Sequence, residues 1–360
     1  MANEELQGLL RKMVDTNASD LFLTTGAPSH IKVNGESWPL FLPPLEPDHA
    51  GLLAYSVMTA EQIATFERCL ESNLSYTAPG IGRFRISVYR QRGQTAMVAR
   101  RINASVPTFD ELDLPPVIGE LAMLPRGLLL VVGSAGSGKS TTLASMIDYR
   151  AHNSQGHILA VEDPIEFLFT HDKCTIDQRE VGVDTHSFAD ALRNAMRQAP
   201  DMIMIGEIRD RETMEHALAY AETGHLCVST LHAANASQAL KRIINFFPET
   251  MHNQIRMDLS LNLQAIISQR LLPGVEGGRV LATETLLHSA YVADLILKGS
   301  MDELKQAIEK SSVVGMHTFD QVLLELVKAG SIDPETALAN ADSRTDLSLR
   351  MRVKSAYDPR

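Results

Sequence analysis

The chain has 360 residues, more than one compact core usually holds, so two domains with small appendages are expected. Its formal net charge of −11 argues against a general nucleic-acid binder, because displacing counterions from phosphate needs a basic surface. Cys69, Cys174 and Cys227 are scattered without a C-x-x-C pair, which argues against a disulfide framework or a four-cysteine zinc site and indicates a reducing compartment.

The chain shows no signal for membrane insertion. No apolar stretch approaches the roughly 20 residues that cross a bilayer. The N-terminal segment "MANEELQGLL" is acidic where a signal peptide would be basic. We therefore expect a cytoplasmic protein whose association with a membrane is made through partners.

The first hundred residues predict a small α+β domain over 1–104. Apolar side chains in 4–14 recur at a helical period, and 52–70 is also helical in pattern. The segments "DLFLTTG" and "HIKVNGE" are predicted to be short strands, with Asn34 and Gly35 supplying the positive φ of a tight hairpin.

The end of this domain is predicted to be a strand pair with an arginine-rich exposed face. The segment "GRFRISVYRQRGQTAMVARRI" places Phe84 and Ile86 on one face and Arg83 and Arg85 on the other, and it turns at Gly93. Residues 105–115 are rich in proline and acidic residues without periodicity, which predicts a linker.

The rest of the chain predicts an α/β domain over 116–288 and a helical region over 289–360. The apolar runs "GLLLVVG", "HILAVED", "MIMIGE" and "LCVSTLH" alternate with helical stretches, as a parallel sheet covered on both faces requires. Within the helical region, 316–327 is expected to be a packing helix, with a partner-binding helix as the alternative.

A phosphate-binding loop is predicted between the first of these strands and the helix that follows it. "GSAGSGKS" fits G-x-x-x-x-G-K-[ST], in which backbone N–H groups surround the phosphates, the lysine neutralises them and the hydroxyl after it binds magnesium. A chance glycine loop is the alternative, and the flanking strand and helix argue against it. The predicted nucleotide-binding residues of this segment are Gly133, Ser134, Ala135, Gly136, Ser137, Gly138, Lys139, Ser140 and Thr141, with Ser140 also a metal ligand.

Acidic residues are expected at the same edge of the sheet. "HILAVED" ends in Glu162 and Asp163, and "MIMIGE" ends in Gly206 and Glu207, where Gly206 allows a close backbone turn. Hydrolysis needs one carboxylate to activate water and another to fix hydrated magnesium. Helix caps or solvated strand ends are the alternative for each acid taken alone.

Two histidines bracket the strand "LCVSTLH". His232 lies at its carboxyl end, the functional edge, and is predicted to sense the γ-phosphate or an interface. His225 is interpreted as a packing residue.

Four ordered segments over 133–232 resemble the type II/IV secretion ATPase superfamily. Besides the P-loop, "VEDPIEF" is similar to its Asp box, "RQAPDMIMIGEIRD" to its Walker B motif and "TGHLCVSTLH" to its His box. The short N-terminal domain and the missing C-x-x-C pair resemble the branch that retracts type IV pili, and "RIINFFP" and "MDLSLNLQAIISQRLLP" extend the likeness to its PilU-like members.

The resemblance implies a PAS-like N-terminal domain, a RecA-like ATPase domain and a ring of six that binds ATP and Mg²⁺ between the two domains. Arginines of the N-terminal domain would complete the nucleotide site, and Arg83 and Arg100 are the nearest candidates, with Arg101 and Arg90 behind them. Solvated strand residues are the alternative. Thr223 and His232 would meet across the subunit boundary.

The resemblance also implies partners and a mechanism. The partners are a PilT-like ATPase and the inner-membrane pilus platform protein, and no nucleic acid is expected. The segment "HSAYVADLILKG" replaces the family's "AIRNLIRE" motif, which suits an accessory motor that works beside a PilT-like ATPase. We expect Glu162 to act as the general base or to orient the attacking water, and Glu207 to hold magnesium through its water shell, while hydrolysis changes the angle between the domains.

Three rival functions remain, and a secretion or assembly ATPase of the same superfamily would share every motif. A secretion or assembly ATPase is expected to have a longer N-terminus or zinc cysteines. A nucleic-acid translocase is expected to respond to DNA. A weakly hydrolysing coupling subunit would bind nucleotide while its partner does the work, and the intact P-loop and Glu207 argue against it.

Overall fold

The computed structural model of the chain describes residues 2–33, 35–40, 43–102 and 105–355. These form two compact units, Met1–Ser105 with Pro164–Leu168, and Val106–Asp163 with Phe169–Arg360. The domain bounds drawn from the sequence stay predictions. Asn34, predicted to turn the first hairpin, and residue 104, at the predicted domain end, lie outside the described residues.

The first unit is built on an antiparallel sheet with helices against it. Its elements are α1 (Ala2–Asp15), β1 (Asp20–Thr24), β2 (His30–Val33), β3 (Glu36–Pro39), α2 (His49–Tyr55), α3 (Ala60–Cys69), β4 (Glu71–Ala78), β5 (Gly82–Gln91) and β6 (Gln94–Ile102). The strand order is β3-β2-β1-β6-β5-β4, and every neighbouring pair is antiparallel.

The patterns read in this unit are largely confirmed. Along β5, Phe84 and Ile86 are buried while Arg85 is exposed, so the alternation places the apolar residues in the core. The predicted helix over 52–70 is wrong as one element, because Thr59 caps a new helix. Its side chain accepts a hydrogen bond from the backbone of Gln62, whose own side chain accepts from Thr59 N.

The second unit carries the larger sheet. Its elements are α4 (Val117–Ala122), β7 (Gly127–Gly133), α5 (Lys139–Asn153), β8 (Gly156–Glu162), β9 (Cys174–Glu180), α6 (Phe188–Ala195), β10 (Met202–Ile205), α7 (Arg211–Glu222), β11 (Leu226–Leu231), α8 (Ala236–Asn245), α9 (His252–Asn262), β12 (Leu263–Pro273), β13 (Arg279–Leu287), α10 (Ala290–Lys298), α11 (Leu304–Glu309), α12 (Phe319–Lys328), α13 (Pro334–Ala339) and α14 (Arg344–Ser355).

The order of this sheet is β13-β12-β7-β11-β10-β8-β9. The strands from β12 to β9 pair in parallel, and β13 joins the edge antiparallel to β12. All residues of β7, β10 and β11 are buried, as expected for strands with helices on both faces. The predicted parallel core is confirmed, and the β12–β13 hairpin adds two strands that the sequence pattern does not announce.

The helices predicted after residue 289 are confirmed, and the last of them pack on the β12–β13 hairpin. Phe319 and Leu323 of α12 are buried with Leu272 of β12 and Ala282 of β13 in one apolar cluster. Arg270 lies over the Phe319 ring, 3.8 Å from its centroid, and pairs with Asp342 at 2.7 Å. The helix α12 is therefore at least in part a packing helix.

Among the described residues, no helix combines the length and apolar character needed to cross a bilayer.

Candidate nucleotide-binding site

The strand order of the second unit brings the predicted motifs to one edge of the sheet. The neighbours β7, β11, β10 and β8 are parallel, so their carboxyl ends carry the P-loop, His232, Glu207 and Glu162 in that order. At the usual spacing of about 4.8 Å between strands, β10 lies on the order of 10 Å from the P-loop strand and β8 about 14 Å. The strand that leads to Glu207 therefore lies nearer the P-loop than the strand that ends in Glu162.

The P-loop has the conformation that its glycines permit. Gly136 and Gly138 adopt positive φ angles of 75° and 88°, a region that side chains disfavour, and Gly138 caps the start of α5. Lys139 Nζ donates a hydrogen bond to the backbone oxygen of Ser134 at 2.8 Å. Ser140 is half-buried in the first turn of α5, so its hydroxyl and the positive end of the helix dipole meet at the loop.

Gly133 is required by crowding under the loop. A β-carbon at this position would lie 2.3 Å from Ser137 Oγ and 2.7 Å from the backbone oxygen of Gln269. Such distances would force the loop or the neighbouring strand to move. The P-loop is therefore closely packed against β12, and its backbone N–H groups and Lys139 fit a phosphate group.

Glu207 is held by two basic side chains. Arg209 Nε donates to Glu207 Oε2 at 2.9 Å, and His232 Nε2 lies 3.2 Å from Glu207 Oε1. The carboxylate is 17% exposed, so it faces the edge of the sheet without being fully solvated. Glu207 and His232, which the sequence singled out separately, are thus in contact between neighbouring strands.

Glu162 is more deeply buried than Glu207. It is 6% exposed, and its Oε1 accepts a hydrogen bond from Gln178 Nε2 at 2.9 Å. The adjacent Asp163 lies 3.5 Å from Arg209 Nη1. Because Arg209 contacts acids from the ends of both β8 and β10, it links the two predicted acidic motifs.

Gly206 matters for a reason other than a turn. Its φ angle is not positive, but a β-carbon at this position would lie 3.3 Å from Glu162 Cα and 3.3 Å from the Val161 backbone oxygen. Its N–H donates to that same oxygen at 2.8 Å. The missing side chain lets the end of β10 run close beside the end of β8.

Thr223 and His225 contact each other near the amino end of β11. Thr223 Oγ1 lies 3.1 Å from His225 Nδ1, and the Tyr220 ring meets the His225 ring edge-on. His225 therefore has packing partners within the unit, as interpreted from the sequence.

The candidate arginines Arg83 and Arg100 belong to the first unit, on β5 and β6. Arg100 Nε donates to Asp20 Oδ1 at 2.7 Å, and Asp20 is a buried acid. Arg90, behind them, pairs with Glu67 at 2.7 Å. Two of the clustered arginines thus have acidic partners inside their own unit.

The sequence does not single out Arg209, Gln178 or Gln269. Arg209 stands two residues after Glu207 in "GEIRD", a spacing that offers a signal in retrospect. Gln269 contacts Thr142 across 127 positions of the chain, which no local pattern announces.

Comparisons with known proteins agree with this geometry. Residues 5–312 match the family described as Type II/IV secretion system protein. The type IV pilus ATPase PilU of Pseudomonas aeruginosa is 51% identical over 355 residues, covering 98% of this chain and 93% of PilU. The type IV pilus retraction ATPase PilT of the same organism is 41% identical, covering 94% of this chain and 98% of PilT.

A solved structure of the pilus retraction motor PilT with bound ADP superposes with a TM-score of 0.90 at 42% identity. It covers 95% of this chain and 98% of the other. The match confirms the predicted α/β fold class.

Proposed function

The chain belongs to the type II/IV secretion system protein family, and from this premise we propose that it is an ATP-hydrolysing motor of a type IV pilus machine. The observation that carries the proposal is the meeting of a P-loop and two strand-end acidic motifs at one sheet edge, in a chain 51% identical to PilU. Its relatives PilU and PilT are named as ATPases.

Nucleotide binding is assigned to Gly133, Ser134, Ala135, Gly136, Ser137, Gly138, Lys139, Ser140 and Thr141. Bound ATP supplies the phosphoanhydride bond that is cleaved, and Mg²⁺ screens the charge of its phosphates. The loop N–H groups and Lys139 Nζ neutralise the phosphate oxygens, and Ser140 Oγ is a metal ligand. The ADP in the related PilT structure supports this assignment.

The two acids divide the remaining work. Glu162, oriented by its hydrogen bond from Gln178, accepts the proton of the attacking water. Glu207 would hold the water shell of Mg²⁺, and its contacts with His232 and Arg209 orient its carboxylate. His232 thereby connects the metal-side acid to the neighbouring strand.

The proposed assembly is a homo-hexamer at the cytoplasmic face of the inner membrane. Arg83 and Arg100 of the first unit complete the nucleotide site, and hydrolysis changes the angle of the hinge at 105–115. The motor acts on the pilus platform protein together with a PilT-like ATPase. The segment "HSAYVADLILKG", where PilT proteins carry a different motif, supports the accessory role.

Turnover of the purified chain tests this function. The chain is assayed with Mg·ATP alone, with a PilT-like ring and with DNA, and Lys139→Ala serves as the inactive control. We expect Mg²⁺-dependent turnover that DNA does not stimulate. Tight binding without turnover in either setting would replace the motor with a coupling subunit, and stimulation by DNA would indicate a translocase.

Retraction tests the cellular role. In a strain that lacks the gene, we expect twitching under load to fall and to be restored by the intact chain but not by Lys139→Ala. Normal pilus retraction in the deletion strain, with and without load, would contradict the proposal.

A further inference from the structure

Gln269 lies beside the phosphate-binding loop without belonging to it. On β12 it stands in register with Gly133, the last residue of β7. Its side chain is 1% exposed, and its Nε2 donates to Thr142 Oγ1 at 2.7 Å, near the start of α5. The strand β12 thus contacts the helix that begins at the P-loop.

Two buried polar atoms near Gly133 have no hydrogen-bond partner among the described residues. They are Gln269 Oε1 and Ser137 Oγ. Ser137 belongs to the loop itself and is 2% exposed. Buried polar groups are almost always paired in folded proteins, so two unpaired atoms in one small region require an explanation.

The two atoms are chemically complementary. A serine hydroxyl can donate a hydrogen bond and an amide oxygen can accept one. The two residues approach each other at Gly133, where a β-carbon would meet both Ser137 Oγ and the Gln269 backbone oxygen. Ser137 and Gln269 therefore both lie against the last residue of β7.

We propose that Gln269 is a positioning residue of the nucleotide site, a role that rests on the proposed binding of nucleotide by the P-loop. Its amide N–H fixes the first part of α5 through Thr142. Its amide oxygen accepts a hydrogen bond from Ser137 when the loop closes on the phosphates. Through these two contacts, β12 holds the P-loop and the start of α5 in the arrangement that binds the phosphates.

Binding and turnover of the full chain test this role with Gln269→Met, which keeps the volume of the side chain and removes both polar contacts. We expect the Kd for Mg·ADP and the KM for ATP to rise about tenfold, the usual effect of losing one hydrogen bond, with a smaller change in kcat. Thr142→Val is expected to act in the same direction. The double variant is expected to bind no more weakly than Gln269→Met, because both changes remove one shared contact.

Ser268→Ala is the matched control. Ser268 is the preceding residue on β12, is fully buried and donates a hydrogen bond to Glu284 Oε1 at 3.3 Å, and among the described residues it has no hydrogen bond to Ser137 or Thr142. We expect it to lower Tm without changing the Kd for Mg·ADP. A Gln269→Met protein that loses Tm but keeps the Kd and KM of the unsubstituted chain would overturn the positioning role.

Two further outcomes are decisive. If Gln269→Met does not fold, Thr142→Val and Ser137→Ala decide, and an unchanged Kd for Mg·ADP in both overturns the proposal. If the unsubstituted chain binds no Mg·ADP or Mg·ATP, the proposed function fails first, and the role of Gln269 fails with it.

Discussion

The two sheets of the molecule differ in the groups that their buried acidic side chains contact. In the first unit, the buried acid Asp20 receives a hydrogen bond from the guanidinium of Arg100. In the second unit, the buried acid Glu284 accepts hydrogen bonds only from neutral donors, Ala236 N and Ser268 Oγ, among the bonds described. Glu207 and Glu162 sit at the open edge of this second sheet.

The difference separates stability from function. Asp20 is buried inside its own sheet beside the guanidinium of Arg100, whereas Glu162 and Glu207 lie at the carboxyl edge of a parallel sheet, where ligands bind. We infer that the contact between Asp20 and Arg100 stabilises the fold of the first unit, in addition to the part proposed for Arg100 at the nucleotide. We infer that Glu162 and Glu207 of the second sheet serve the reaction, and the following substitutions test this difference between the two sheets.

Lys139→Ala tests the functional edge with the largest expected effect. Loss of the ammonium group leaves the phosphate charge without its main protein counter-charge, so turnover is expected to fall by about 1000-fold or more. Steady-state ATPase assays measure it. Lys241→Ala removes a lysine of the same unit that pairs with Asp302 instead, and it is expected to keep full activity.

Glu207→Gln sharpens the roles at the edge. Turnover is expected to fall about 100-fold or more, because a neutral amide holds the water shell of Mg²⁺ less well than a carboxylate, while the P-loop still binds the nucleotide. The variant is also expected to require more Mg²⁺, whereas Glu162→Gln should lower kcat at an unchanged Mg²⁺ requirement. Full activity of Glu207→Gln would remove the role assigned to it.

Asp20→Asn tests the contact between Asp20 and Arg100 in the first sheet. Because Asp20 is buried and accepts a charge-assisted hydrogen bond from Arg100, its loss is expected to reduce the free energy of unfolding by about 1 to 2 kcal/mol. Denaturant titration measures this change, and kcat should stay the same. If Arg100 also serves the nucleotide, Arg100→Gln raises the KM for ATP and Asp20→Asn does not.

Glu284→Gln is expected to have the smallest effect, with the opposite sign. Burial raises the pKa of Glu284, although the hydrogen bond from Ala236 N lowers it. A carboxyl whose pKa is raised by folding contributes stability in acid that is lost as pH rises through the folded-state pKa. Glutamine cannot ionise, so Tm is expected to exceed that of the unsubstituted chain at neutral pH by a small amount, measured by thermal unfolding.

One outcome of the pH series would contradict this interpretation of Glu284. The advantage of Glu284→Gln should disappear in acid, where the carboxyl of the unsubstituted chain is protonated. A variant that is less stable at every pH would mean that Glu284 is stabilising as an ion, and the contrast between the two buried acids would be lost.

The sequence predicts most of the candidate nucleotide site at the carboxyl edge of the second sheet, because the residues of each motif are close together in the chain. The P-loop reads as eight consecutive residues, and uninterrupted apolar runs announce β7, β10 and β11. The start of a new helix at Thr59, which the prediction of one helix over 52–70 missed, also has a local signal. The T-x-x-Q spacing from Thr59 to Gln62 is that of a capping box.

Contacts between distant segments are the part that the sequence does not predict. Arg100 and Asp20 are 80 positions apart, and Gln269 and Thr142 are 127 apart. The β12 strand follows a helix without a break, since α9 ends at Asn262 and β12 begins at Leu263, so no turn residue separates them. These features depend on the register of the assembled sheet, which composition and spacing do not encode.

The packing of α12 on the β12–β13 hairpin has a practical consequence for anyone who dissects the protein. The strand β13 is the outermost strand of its sheet, and the apolar cluster around Leu272 is completed by Phe319 and Leu323. A recombinant fragment that ends at residue 288 would strip this cover and leave an apolar edge strand open to pair with other chains. Such a fragment is expected to aggregate on expression, so soluble truncations should retain the chain through α14.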